Sequence, residues 1–449
     1  MTPIGLVIMV SLSLAILFAP REWAAAAVMA SVMYLTDGQK IMLGGISFFA
    51  IRFIEIAGFT RIVLKGELRK GRLNGIDKIF LAFQGVYLLI FLIGFSIHHG
   101  KIVTPAYVIG SFCDGVSSYF IFRSLLTDPA VLKDFLKKCA YLMVPFAVFM
   151  VIESVTGHNL FSSMGGVPTT PVVRSGHFRA QGSFGVAITA GSLGATLMPL
   201  FVAALSWNAG FWGVTGIASC LVIVITAHSG GPLLALAAGM GAWYCWRIRE
   251  SMRKIRWGIL FSVVALQLLM KAPIWFLLDR FGSLTGGHGW DRANLIDQFV
   301  KHFGSWWLAG MPLEKTGNWA ATRLPTGSTD VTNAYVSFGL NGGLITMILL
   351  ILLFIECFKY LGDSMKILRL AGPEYKRDEL MLWGAGCCLF SHMINLIGVR
   401  YFDQMYVVWY MSFAVISSLS AYYINEFKAN AQDGSHGAAN ELDFLPGTI

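Results

Sequence analysis

Charge is what this sequence has least of. Only 13% of its 449 residues are charged, against 56% hydrophobic, with a mean hydropathy of +0.65. That balance leaves too little polar surface to keep a soluble fold of this size wet. Cysteine is sparse as well. The seven residues Cys113, Cys139, Cys220, Cys245, Cys357, Cys387 and Cys388 fall in or at the edges of apolar segments and none lies in the longest polar stretch, which predicts neither a disulfide framework nor a zinc site. There is no detectable internal repeat, and no low-complexity tract apart from the polar tail around Ala431–Asn440. The first apolar segment, Pro3–Ala19, has no basic flank before it and no obvious small-residue cleavage site. It reads as a retained helix, not as a signal peptide.

What the chain has in quantity is apolar runs long enough to cross roughly 30 Å of hydrocarbon at about 1.5 Å per residue. They cover approximately 3–19, 22–37, 40–57, 77–97, 106–126, 137–156, 184–205, 211–227, 230–246, 257–277, 333–357, 380–398 and 402–424. Runs this long and continuously apolar do not suit barrel strands, and in lipid each must satisfy its own backbone, so helices are the remaining choice. The expectation is an all-α polytopic membrane protein, one integral domain over 1–449 with about 12–13 transmembrane helices.

The net charge of +9 reads as an orientation signal, with no nucleic acid implied. Basic residues cluster at Arg61–Arg72, at Lys133–Lys138, at Arg247–Arg256 and at Lys359–Arg377; the assigned spans between successive clusters number two, four and two, so all four clusters fit on the cytoplasmic side. That frame puts a short loop (157–183) and a long loop (278–332) in the periplasm of an inner-membrane protein and a tail (425–449) in the cytoplasm. The side of the amino terminus stays open. From Asp291, read as a helix N-cap, the run Ala293, Leu295, Ile296, Phe299, Val300 and Phe303 has helical spacing, and Trp290, Trp306, Trp307 and Trp319 suit a headgroup layer. The long loop is therefore expected to hold an interfacial helix.

Arginines outside the cytoplasm work against the positive-inside bias. They are Arg174, Arg179, Arg280, Arg292 and Arg323. A guanidinium keeps its charge and offers a fork of donors that fits phosphate oxygens, so the set points to anion binding, with salt bridges or lipid headgroups as the alternative use of any one of them. His177 and His288 are possible proton acceptors, as are Asp291 and Asp330; Asp291 is equally explained as a helix cap. Within the spans, Arg52 and Glu55 are three apart and able to neutralise each other, whereas Asp114, Glu153, His392 and Asp403 have no partner visible in the sequence.

Three local patterns follow one another: Arg179-Ala-Gln-Gly-Ser-Phe184 before a central helix, Thr226-Ala-His-Ser-Gly-Gly-Pro232 two helices later, and Thr332-Asn333 followed by nine residues and then Gly343-Leu-Ile-Thr346. In this order and topology the chain resembles the superfamily of O-antigen ligases and O-antigen polymerases, bacterial membrane glycosyltransferases of C-type-like fold. Ligases of that family carry a histidine at the position of Thr332, and a threonine does not titrate near neutral pH. The resemblance implies a glycan polymerase or ligase that works at the periplasmic face without metal or cofactor. Its donor would be a glycan on undecaprenyl diphosphate, its surroundings membrane lipids, its companions a chain-length regulator or flippase of the same pathway. The Thr332 departure favours a polymerase. On this reading Arg179, Arg292, Arg174 and Arg280 bind the diphosphate, and Asp330, Asp291, Thr332 and Asn333 are the catalytic candidates. A polysaccharide or lipid transporter is the rival class.

Overall fold

A computed structural model of the chain describes residues 1–43, 46–68, 73–97, 105–284, 289–321, 324 and 328–432. Its helices are α1 (Pro3–Phe18), α2 (Arg21–Tyr34), α3 (Ala50–Leu64), α4 (Gly75–Ile97), α5 (Pro105–Leu125), α6 (Pro129–Thr156), α7 (Ala187–Ala204), α8 (Gly210–Thr226), α9 (Gly230–Tyr244), α10 (Met252–Leu269), the short α11 (Leu277–Leu284), α12 (Gly289–Lys301) and α13 (Phe303–Trp306), then α14 (Ala334–Ala371), α15 (Lys376–Asn395) and α16 (Met405–Gln432). Two small hairpins, β1 (Lys40–Leu43) with β2 (Ile46–Phe49) and β3 (Val173–Arg174) with β4 (His177–Phe178), are the strands among the described residues. The molecule is a largely helical, polytopic membrane protein.

Among the described residues five helices are long and apolar enough to cross a membrane: α4, α6, α7 with its following turn, α14 and α16; the count is six when the stretch from α9 through α10 and the segment at Ile274, bent by 95°, are taken as one span. α1 and α8 are apolar but shorter. Of the remaining helices expected to span, α2 and α3 are only 14 and 15 residues long, and α3, α5 and α15 carry buried or partly buried polar groups. Arg52, Glu55 and Arg61 sit on α3, Asp114 and Arg123 on α5, and Glu379, His392 and Asn395 on α15.

Local chemistry accounts for where elements begin and end. Asp128 caps α6 by accepting the Val131 N–H at 3.0 Å, with Pro129 in the first turn. The helix therefore starts eight residues before the expected 137, and Lys133, Lys137 and Lys138 belong to it and not to a connection. Gly157, at φ 68°, ends the same helix. The segment expected as a helix over 40–57 is instead the β1–β2 hairpin followed by α3. Its signal in the sequence is the Gly44-Gly45 pair between runs carrying Ile41, Ile46, Phe48 and Phe49. α16 runs to Gln432, and so takes in the first residues of the expected tail. The rest of that tail, 433–449, lies outside the described residues, as do His288 and Arg323.

The packing centre is α7, buried along nearly its whole length and set against α8, α9 and α15. Small residues permit this closeness. A side chain on Gly194 would meet the Cys220 carbonyl at 2.6 Å, and one on Gly191 would meet Pro232 and Ala227. By contrast, α10 has no buried residue.

Ion pairs tie the helices together inside this frame. Arg52 on α3 pairs bidentately with Asp114 on α5, not with its neighbour Glu55, which accepts hydrogen bonds from Ser118 and Tyr406. Arg123 pairs with Asp77 at 3.2 Å. At one end of the bundle Arg21 and Arg61 share Glu67, Arg249 and Arg369 share Glu379, and Lys138 faces Glu22. The basic connections thus gather at one end, and β3, β4 and the amino termini of α7, α9, α14 and α16 lie at the other.

Candidate anion-binding and active site

At that opposite end the hairpin β3–β4 turns through Ser175 and Gly176, both with positive φ (50° and 79°), which puts Arg174 directly across from His177. The chain then runs past Arg179 into a tightly held stretch. The Arg179 N–H donates to the Val172 carbonyl and the Ala180 N–H to that of Thr226. Glu153, at the end of α6 and 1% exposed, accepts the N–H groups of Gln181 at 3.1 Å and Gly182 at 2.8 Å. The Gln181 amide donates to the carbonyls of Phe184 and Gly185, and the Ser183 hydroxyl to that of Met33. The Arg-Ala-Gln-Gly-Ser-Phe pattern is therefore a wrapped backbone that fixes the root of Arg179.

Arg179 reaches the second pattern. Its Nη2 donates to Ser229 Oγ at 3.2 Å, while its Nε is buried without a hydrogen-bond partner. His228, next to that serine, stacks on His177 with ring centroids 4.7 Å apart and planes 10° apart. Burial, then the neighbouring His177 and Arg179, lowers its pKa below the ordinary histidine value of 6.5.

Arg292 arrives from α12. Its guanidinium lies over Gly398 in the connection between α15 and α16, where an added Cβ would stand 3.4 Å from Cζ. Burial and then the charge of Arg174 lower the proton affinity of both Arg179 and Arg292, and among the described residues no carboxylate offsets either. Three arginines from two elements therefore share one region, with like charges gathered and partly dehydrated. Such a focus favours an anion with several oxygens.

The remaining expected residues take other places. Asp330 is half-buried; burial raises its pKa, against the opposing pull of Arg400. The Thr332 N–H donates to the Asp330 carbonyl. Asn333 is the N-cap of α14, its Oδ1 accepting the Val336 N–H at 3.1 Å. Gly343, the next element of that pattern, has φ 68° and interrupts the helix: Leu344 N–H donates to Trp307 and Met311 N–H to Leu340, so the loop completes the broken ladder. Asp291 is not the cap of α12, which already begins at Gly289. Its Oδ1 accepts the Ala321 N–H and pins the loop. Arg280 lies exposed on α11.

Sequence reasoning missed Arg400, Ser229 and the Glu153 clamp. Arg400 donates to Ser337 at 3.2 Å and Tyr107 at 3.4 Å. Although burial works against its charge, Tyr107, Tyr87 and Asp330 hold its pKa above the ordinary value. The signal was available: under the assigned topology 399–401 is a non-cytoplasmic turn, so Arg400 belonged with the other arginines outside the cytoplasm. Among the described residues no group of three or more His, Cys, Asp or Glu side chains is placed to hold a metal ion. No protein-family model matches this chain, and no curated protein matches it.

Proposed function

We propose that the protein polymerises lipid-linked oligosaccharide repeat units, of O-antigen or exopolysaccharide type, by inverting glycosyl transfer from undecaprenyl diphosphate. It does so as a C-type-like enzyme with twelve or thirteen crossings of a bacterial inner membrane and its site toward the periplasm. The observation that carries this reading is the convergence of Arg174, Arg179 and Arg292 with, among the described residues, no carboxylate offsetting the last two. A lipid diphosphate needs such cations both when it binds and when it leaves with extra charge.

In the proposed step, an acceptor hydroxyl oxygen forms a bond to the anomeric carbon as the bond from that carbon to the diphosphate oxygen breaks. The electron pair leaves with the lipid diphosphate, stabilised by the arginines, and the hydroxyl proton passes to Asp330. Among the expected acids this one is the better proton acceptor, because its pKa is raised while Asp291 is engaged with backbone. Asn333 caps α14, the helix that begins just after Asp330.

Turnover of purified protein in nanodiscs with undecaprenyl-diphosphate-linked repeats tests this directly, following product length and released lipid diphosphate beside Arg179→Ala and Arg292→Ala. Long products lost in both variants are expected. Transfer only when a separate acceptor is supplied indicates a ligase, and movement of donor lipid across the bilayer without turnover indicates a flippase.

A further inference from the structure

A second chamber lies on the other side of the Leu396–Gln404 connection from Arg292. It is a cavity of ≈ 180 Å³ walled by α3, α4, α5, α14 and α16, more than ten times the roughly 10–15 Å³ that admits a single water. Its lining combines fixed charge with aromatic faces. Arg52 and Asp114 stand locked together in their bidentate pair, and Arg400 enters at the rim, held by Tyr107 and Ser337. Trp409 contributes the largest ring, stacked on Tyr410 at 5.0 Å and edge-on to Tyr401 at 6.1 Å.

Three polar atoms on lining residues are left over, the first of them Gln84 Nε2, on a side chain 3% exposed. Gln404 is 3% exposed and donates its Nε2 to the carbonyls of Val32, Leu35 and Ser183. That fixes the amide, and its Oε1 is buried with no hydrogen-bond partner. Trp409 is 2% exposed, and its Nε1–H likewise has none. One unmet acceptor and two unmet donors, each expensive to bury alone, are matched by a ligand whose hydroxyls both donate and accept.

Charge decides what kind of ligand. In the cavity Arg52 is neutralised by Asp114, Arg400 faces Asp330, and Asp37 and Asp403 also line the walls. An anion is disfavoured there and favoured at the arginine focus. We infer that this cavity is a subsite for an uncharged pyranose, holding the end sugar of the acceptor glycan while the donor diphosphate occupies Arg174, Arg179 and Arg292. The inference rests on the proposed glycosyl transfer and adds where the acceptor sits. The aromatic walls cover the C–H faces of the ring, and Gln404, Trp409 and the Arg52–Asp114 pair address its hydroxyls. Arg400, part of this lining, also interacts electrostatically with Asp330, the proposed proton acceptor.

Binding is the direct test, on the full chain in nanodiscs. The probes are uncharged methyl glycosides of glucose, galactose, mannose, rhamnose and N-acetylglucosamine, read by saturation-transfer NMR, and inorganic pyrophosphate, read by calorimetry. At least one glycoside is expected to bind in the wild type. Trp409→Phe, which keeps a ring and removes the N–H, and Gln404→Leu should each weaken it about tenfold, while Arg179→Ala leaves it unchanged. Pyrophosphate should show the reverse pattern. Thermal unfolding confirms that each variant is folded, and Trp409→Phe alone suffices if Gln404→Leu is not. Glycoside binding that ignores Trp409→Phe, or no glycoside binding at all, overturns the subsite even if pyrophosphate behaves as expected. Pyrophosphate binding indifferent to Arg179→Ala instead sinks the glycosyl-transfer reading, whatever the glycosides do.

Discussion

Glu153 holds the Arg179 segment through two backbone N–H groups, so replacing it with Gln makes a quantitative test of how that arginine is positioned. Gln keeps one acceptor oxygen and turns the other into an NH₂ that faces an N–H. One charge-assisted bond, at Gln181 or Gly182, is lost and a buried donor is left unpaired. With about 1–2 kcal/mol for each effect, the local cost is about 2–4 kcal/mol. At 1.4 kcal/mol per factor of ten, opening of the 180–183 backbone rises by about 30- to 1,000-fold. Hydrogen exchange of peptides covering Phe178–Phe184 in nanodiscs reads this directly, because exchange of a protected amide follows local opening. Pyrophosphate affinity should fall in the same variant even though Arg179 is intact, and Glu153→Asp, too short to serve both N–H groups, should lie between. Unchanged exchange in Glu153→Gln would refute the clamp.

Other outcomes follow from the same geometry. Arg52→Ala leaves Asp114 uncompensated in a mostly buried setting and should cost about 3–5 kcal/mol, whereas Arg52→Ala with Asp114→Ala should cost clearly less than the two single changes added together; denaturant titration of the double-mutant cycle decides it. Gly343→Ala puts a Cβ in a conformation that suits glycine alone and 2.7 Å from the Leu308 carbonyl, so a loss of about 3 kcal/mol or more is expected in thermal unfolding, and a near-neutral result would remove the helix break as its cause. Asn333→Ala should lose about 1 kcal/mol by removing a cap, while Asn333→Ser should keep both stability and turnover; turnover abolished in a stable Ser variant would make Asn333 a chemical participant. Asp330 has its folded pKa raised above 3.8, so the folded state binds its proton more tightly than the unfolded one. The stability that this contributes is present below pH 3.8 and is lost as pH rises through the folded value. Asp330→Asn should flatten that part of the stability–pH profile, and an unchanged profile would show that Asp330 does not set it.

The residues of the candidate site can be singled out from the sequence one at a time. Arg174, Arg179 and Arg292 were singled out because a cation on the wrong side of a membrane needs a reason, and that argument uses composition and topology alone. Their meeting was not legible: Arg292 comes from a helix more than a hundred residues away, and only the fold lays it over Gly398. The same holds for the charges inside the spans. Asp114, Glu153, His392 and Asp403 had no partner in the sequence; in three dimensions they meet Arg52, the Gln181 and Gly182 backbone, Tyr401 and Thr189. The pairing of Arg52 with Glu55 failed because helical spacing measures proximity along one helix, whereas a buried ion pair forms where the best bidentate geometry is, here across to α5.

The sequence by itself determined that lipid is the solvent and that the backbone is helical, since hydrophobic run length and the cost of unpaired backbone groups in hydrocarbon need no tertiary information. It also determined the orientation logic of the basic clusters and the presence of α12. Only the tertiary structure decided which polar groups are paired and which are left unpaired. It alone showed that Asn333 and Gly343 shape a helix start and a helix break, and that the acids and aromatics of five helices close around a cavity. Those outcomes depend on contacts between residues far apart in the chain, where side-chain geometry and not local pattern sets the energy.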